Sequence, residues 1–177
     1  WTATNEPRRR LKQVALELPE EIDISSKMAA TPDGRLVVHQ CPTVRILDRS
    51  MRVLQTVAGS HDDLIAANDE AIFTCHRGTS VRRSNYGGTI VAEFELEDYQ
   101  LAYGALSPGG LLFSLIWNPE EDADMDEIVA LDAKTLQPRH RFGLGLLNGA
   151  QQLAVVADEL YVCDTHNHRL QVFSLTG

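Results

Sequence analysis

The last 26 residues, "QLAVVADELYVCDTHNHRLQVFSLTG" (152–177), contain the strongest structural signal in the chain. The runs "QLAVVA" and "ELYVCD" are rich in apolar residues and meet at a turn, Asp158-Glu159. A polar corner, 164–168, then precedes the alternating run "RLQVFS". Short runs of Val, Leu, Tyr and Phe bounded by polar residues are typical of β-strands. The stretch therefore predicts three consecutive strands joined by tight turns.

The same plan occurs four times along the chain. Small apolar first strands open the units at "KMAAT" (27–31), "DLIAA" (63–67), "QLAYGAL" (100–106) and "QLAVVA" (152–157). The second strands carry matching apolar residues about 35 to 49 positions apart, at Val38, Phe73, Phe113 and Val162. Units of roughly 40–45 residues with several strands each are typical of propeller blades. The sequence predicts an all-β protein, and a β-propeller rather than a sandwich.

Residue size differs between the strands in a way that suits a propeller. Small residues such as Ala66, Ala67 and Gly104 concentrate in the first strands, which we expect to line the crowded central channel. Larger apolar residues occupy the second and third strands, which we expect to pack between blades. Gly87-Gly88 separates two β-rich runs and predicts a hairpin, because glycine adopts positive φ without steric cost.

The final unit resembles the NHL repeat. The residues that carry the resemblance are Leu160, Tyr161, Val162, Asp164, Asn167, Arg169, Leu170, Val172, Phe173 and Gly177. The three earlier units match only in outline, so the resemblance covers residues 26–177 with one specific unit. It implies an NHL-like β-propeller whose blade units are 26–59, 60–98, 99–145 and 146–177. An N-terminal arm with an outer strand, 1–25, precedes them.

The number of blades is a separate question. NHL-like propellers usually have about six blades, so four units are about two thirds of a ring. Residues 12–18 either supply the missing outer strand of the last blade or belong to a preceding blade. We favour the second alternative, and hence part of a larger, six-bladed propeller, because the chain begins at Trp1 without Met. An open propeller has free strand edges, which predicts pairing with another chain.

The polar corner allows two interpretations. His166 and His168 are two positions apart and face the same way on a strand, so they could share a metal ion. The NHL resemblance implies instead a structural corner, in which Asp164 and Asn167 bond the turn backbone. Arg169 is then placed to pair with a neighbouring carboxylate. We favour the structural corner.

Two other groups are candidate sites. His61 and Asp63 stand at the start of a predicted channel strand, where propeller lyases and lactonases hold a divalent metal. The acidic run 118–127 contains the predicted partner-contact residues Glu120, Glu121, Asp122, Asp124 and Asp126. A calcium loop would need Gly and Glu where this run has Glu127 and Ala133, which favours a solvated acidic loop over a calcium site. We predict no catalytic residue and no cofactor.

Composition limits the function further. The net charge of −9 disfavours a nucleic-acid binder, which usually has a basic face. No apolar run approaches the roughly 20 residues of a membrane-spanning helix. Three cysteines without CxxC spacing predict free, buried thiols in a reducing compartment, so we expect an intracellular and cytoplasmic protein.

These observations favour a non-catalytic scaffold for protein–protein interaction, because a rigid propeller presents variable loops to partners. The alternatives are a metal-dependent propeller hydrolase or lyase of the lactonase type, and an RNA-binding NHL domain. A protein partner is expected and a nucleic-acid partner is not.

Overall fold

The computed structural model describes residues 27–58, 62–119 and 126–177. These residues form fifteen β-strands arranged as four antiparallel sheets, each of which follows chain order. The described residues contain no helix. The fold is the predicted β-propeller arrangement with four blades. The predicted arm, 1–25, lies outside the described residues.

Blades 1 and 2 have four strands each. Blade 1 consists of β1 (Lys27–Ala30), β2 (Leu36–Gln40), β3 (Thr43–Leu47) and β4 (Val53–Ala58). Blade 2 consists of β5 (Asp63–Ala67), β6 (Ala71–His76), β7 (Ser80–Asn85) and β8 (Ile90–Glu95). The predicted Gly87-Gly88 hairpin joins β7 to β8, with Gly88 at a φ of 84°.

Blade 3 has four strands and blade 4 has three within the described residues. Blade 3 consists of β9 (Gln100–Leu106), β10 (Leu111–Trp117), β11 (Asp126–Asp132) and β12 (Pro138–Leu147). Blade 4 consists of β13 (Ala150–Val156), β14 (Glu159–Asp164) and β15 (Arg169–Ser174). The first strands are innermost, with β1 beside β5, β5 beside β9 and β9 beside β13.

Three hydrophobic clusters hold successive blades together. The first joins Val37 and Ile46 of blade 1 to Ile72 of blade 2. The second lies between blades 2 and 3, and the third packs Phe113 of blade 3 against Leu160 of blade 4. The larger apolar residues of the second and third strands therefore pack between blades, as the sequence predicts.

Two small residues of the first strands pack between blades. Ala66 belongs to the cluster between blades 2 and 3, and Ala67 to the cluster between blades 1 and 2. A register shift between Leu64 and Ala66 interrupts the pairing of β5 with β6. Leu64 and Ile65 of the same strand line the axial space, and both also belong to the clusters between blades.

The cysteines are all free but differ in exposure. Cys75 is buried, as predicted, and burial raises the pKa of its thiol to about 11. Cys41 and Cys163 are exposed, so the prediction of buried thiols is wrong for them.

Candidate functional site

The corner after β14 is built around the carboxylate of Asp164. This side chain is fully buried at 0% exposure and accepts a hydrogen bond from the Asn148 backbone N–H at 2.8 Å. The Asn167 amide donates to both carboxylate oxygens, at 3.1 and 2.9 Å. Arg169 Nε donates to Oδ2 at 2.7 Å, and its Nη2 donates to the Leu146 carbonyl at 2.6 Å. Asp164 thus ties the hairpin of blade 4 to the segment that arrives from blade 3.

The acidity of Asp164 reflects two opposing effects. Burial raises the pKa of a carboxyl group because the charged form loses its hydration. The hydrogen bonds from Asn148, Asn167 and Arg169 favour the charged form more strongly, so the pKa of Asp164 lies below its ordinary value. Asp164 is therefore charged at neutral pH, and its carboxylate accepts hydrogen bonds from three residues.

His166 packs over the start of blade 4. Its Nδ1 lies 3.0 Å from Asn148 Oδ1, and its backbone N–H donates to the Asn148 carbonyl at 3.1 Å. A β-carbon added to Gly149 would overlap the imidazole ring, and Gly149 has a φ of 58°. The His166 ring thus lies so close to the backbone at position 149 that only glycine fits there.

One sheet face of blade 4 is exposed. Leu160 and Val162 of β14 point toward blade 3 and are fully buried at 0% exposure. The alternate positions on β13, β14 and β15 form rows by register, which are Gln152–Cys163–Leu170, Ala154–Tyr161–Val172 and Val156–Glu159–Ser174. Val156 and Leu170 are 57% exposed and Val172 is 41% exposed. We call these nine residues the free face of blade 4.

The second strands of the middle blades have no such exposed face. Strands β6 and β10 are buried at every internal position, because each lies between two neighbouring blades. Strand β14 alternates buried and partly exposed positions instead. This difference shows that the described residues of blade 4 have a blade packed on one side only.

A cavity of about 380 Å³ lies where the four inner strands converge. Each inner strand contributes two consecutive residues to its lining, at 27–28, 64–65, 103–104 and 152–153. Lys27 and Gln152 are polar residues in otherwise mostly apolar inner strands. Tyr103 was missed, although a tyrosine within the small-residue run "QLAYGAL" is an available signal.

A second polar network lies at the start of blade 2. Asp62 is 4% exposed, and its Oδ1 lies 2.6 Å from His76 Nδ1. Arg82 Nη1 donates to Asp62 Oδ2 at 3.3 Å, and Arg82 Nε donates to Glu93 at 2.7 Å. The hydrogen bond from Arg82 lowers the pKa of Glu93. The network links β6, β7 and β8, and sequence spacing alone does not reveal it because its members are 11 to 20 residues apart.

Residues 147–173 match the family model of the NHL repeat. The chain carries an NHL repeat. The matched segment runs from the last residue of β12 into β15, so the Asp164 corner and most of the free face lie within it. No curated protein sequence matches the chain.

Solved structures of similar fold come from distant proteins. BamB from Moraxella catarrhalis has a TM-score of 0.59 at 16% identity, over 84% of this chain and 46% of that one. A protein of unknown function from Bacteroides caccae has a TM-score of 0.58 at 17% identity, over 86% of this chain and 65% of that one. Kuenenia stuttgartiensis hydrazine synthase has a TM-score of 0.55 at 16% identity, over 76% of this chain and 42% of that one. The chain thus spans less than two thirds of each, and these identities show a shared fold alone.

The predicted metal residues do not meet in a described cluster. His61 lies outside the described residues. Asp63 pairs with Lys27, whose Nζ lies 3.2 Å from Asp63 Oδ2. Within residues 27–58, 62–119 and 126–177, no group of three or more His, Cys, Asp or Glu side chains is arranged to hold a metal ion.

The structure describes only part of the acidic run. Glu120, Glu121, Asp122 and Asp124 lie outside the described residues. Asp126 begins strand β11, is 9% exposed, and accepts a hydrogen bond from the Ala150 N–H at 2.6 Å. Burial raises its pKa. Asp126 therefore joins blade 3 to the first residue of blade 4 instead of lying in an exposed loop.

The described part of the chain has no helix that is long and apolar enough to cross a membrane.

Proposed function

We propose that this chain is a non-catalytic interaction module, and that the free face of blade 4 binds an apolar β-sheet face of another polypeptide. The observation that carries the proposal is the exposure of Val156, Leu170 and Val172 on one face of a regular sheet. Val172 is paired with Tyr161, and Leu170 lies two positions from Val172 on the same strand, so these side chains are neighbours on the face. Exposed apolar patches of this kind mark interaction surfaces.

The interface between blades 3 and 4 indicates the kind of partner. There, the opposite face of blade 4 packs Leu160 and Val162 against Phe113 and Leu115 of a neighbouring sheet. Two sheets pack about 10 Å apart through interdigitated apolar side chains. The free face has the same alternation on the same strands, so it is suited to the same kind of packing.

The charges of the described residues support a protein partner over RNA. Arg82 is paired with Asp62 and Glu93, Arg139 with Asp132, and Arg169 with Asp164. Cations already neutralised by carboxylates displace few counterions from a phosphate backbone. The predicted intracellular location stays part of this proposal, with three free thiols in its support.

A site-specific photocrosslinker tests the proposal in cells that express the protein. We expect a crosslinker at Val172 to react with one defined segment of a polypeptide whose own structure forms an apolar sheet face. Leu170→Asp should abolish that product, because an aspartate in the interface would be buried without a partner.

The matched control places the crosslinker at Ile90, an exposed apolar residue on β8 at 49% exposure. Products at Val172 that also form at Ile90, or that persist in Leu170→Asp, would contradict the proposal. A crosslinked product with the mass of two copies of the protein would identify a second copy as the partner. A salt-sensitive gel shift with single-stranded RNA and no crosslink at Val172 would favour the RNA-binding alternative.

A further inference from the structure

The axial cavity has a mixed lining of apolar and polar side chains. Met28, Leu64, Ile65 and Leu153 contribute hydrocarbon from three of the four blades. Its volume of about 380 Å³ lies within the range of pockets that bury small ligands. Such pockets bind through apolar contact and a few placed polar groups, so the polar members of the lining decide the ligand class.

Lys27 is the charged member of the described lining. Its ammonium pairs with Asp63, but Asp63 itself does not line the cavity, and its side chain is 56% exposed. The Lys27 ammonium also lies 5.8 Å from the centre of the Tyr103 ring, within the range of a cation–π contact. Contacts with blades 2 and 3 therefore hold the ammonium at the cavity, while the carboxylate is turned toward solvent.

Gln152 adds a neutral hydrogen-bonding group from blade 4. An ammonium and a carboxamide both donate hydrogen bonds, and a lysine presents its charge as a single compact centre. One such centre balances one negative charge. We propose that the axial cavity binds a small organic monocarboxylate, with its carboxylate at Lys27 and its aliphatic or aromatic body against Leu64, Ile65 and Leu153.

Asp63 has a defined effect in this arrangement. Its carboxylate occupies one of the three donors of the Lys27 ammonium and offsets part of the positive charge. A bound carboxylate competes with it for the same cation. Removing the charge of Asp63 should therefore strengthen binding, whereas removing the charge of Lys27 should weaken it.

The experiment uses hexanoate as the probe, with hexanol and hexylamine as ligands of the same chain length. Two-dimensional NMR of the labelled protein should show saturable shifts at residues 64–65, 103–104 and 152–153 with hexanoate. Lys27→Met, which keeps the length of the side chain, should raise the Kd at least about tenfold. Asp63→Asn should lower the Kd severalfold.

The ligand series decides the outcome even where a variant fails to fold. Equal binding of hexanol and hexanoate, or no saturable shift up to about 20 mM hexanoate, would overturn the proposal. An unchanged Kd in folded Lys27→Met would also overturn it. Leu153→Trp, which fills the cavity, should abolish the shifts while a native far-UV circular dichroism spectrum shows an intact fold. Persistent shifts in this variant would place hexanoate elsewhere and refute the cavity site.

Discussion

Asp164 shows how one buried carboxylate organises a blade. It receives hydrogen bonds from the chain entering the blade, from the turn and from the following strand, at Asn148, Asn167 and Arg169. A buried charge is tolerated only when such partners replace its lost hydration. These hydrogen bonds support the prediction that Asp164, Asn167 and Arg169 form a structural corner.

We expect Asp164→Asn to lower the free energy of unfolding by about 2–4 kcal/mol, because it leaves Arg169 without its carboxylate and disrupts a buried network. Urea denaturation followed by circular dichroism measures the change. The control is Asp158→Asn in the exposed turn between β13 and β14, which should shift stability by less than about 0.5 kcal/mol. Equal urea midpoints for the two variants would show that the hydrogen bonds of the corner do not stabilise the fold.

In blade 4, the apolar residues of alternating strands are buried on one face of the sheet and exposed on the other. Leu160 on β14 is 0% exposed against blade 3, whereas Leu170 on β15 is 57% exposed on the free face. Both residues match the repeat pattern, and the sequence does not distinguish their surroundings. Their difference arises because a blade is packed against one side of this sheet within the described residues.

The two leucines provide a matched test of this asymmetry. We expect Leu160→Ala to cost about 2–5 kcal/mol, the range for a leucine truncated in a packed core. Leu170→Ala should cost less than about 1 kcal/mol, because its side chain is already largely solvated. Chemical denaturation of both variants in the purified protein gives the comparison. A large loss for Leu170→Ala would mean that the free face is covered in solution.

The stability of the whole molecule depends on pH through several carboxyl groups that accept hydrogen bonds. Hydrogen bonds from Thr31 lower the pKa of Asp33, those from Arg52 lower that of Asp48, and those from Arg82 lower that of Glu93. The pKa of Asp164 is lowered as well. A carboxyl group whose folded pKa is depressed stabilises the fold above its unfolded pKa. That contribution is lost as pH falls through the folded value.

We therefore expect the urea midpoint to decrease as the pH falls below the ordinary values of 4.5 for Glu and 3.8 for Asp. Glu93→Gln should reduce the difference between the midpoints at pH 7 and pH 3, because it removes one depressed carboxyl group. Glu97→Gln, which removes an exposed carboxylate outside the Arg82 network, is the control. A midpoint in the unmodified protein that rises on acidification would refute this account.

Much of the architecture follows from local patterns. Alternating apolar runs, the Gly87-Gly88 turn and the recurrence of Val38, Phe73, Phe113 and Val162 predict an all-β propeller, because strand formation depends on near neighbours. The NHL repeat is likewise a local motif. Asp164, Asn167 and Arg169 can be predicted to form one corner for the same reason, because they lie within six positions of one another.

The sequence by itself determined the class of fold and the repeat. Only the tertiary structure decided that Ala66 and Ala67 pack between blades, that Asp62 meets His76 and Arg82, and that Lys27 reaches the axial cavity. These contacts join residues that are remote in the chain, and they depend on how neighbouring blades pack. Burial on each face of blade 4 is decided in the same way, because a strand's pattern specifies two faces but not which one another sheet will cover.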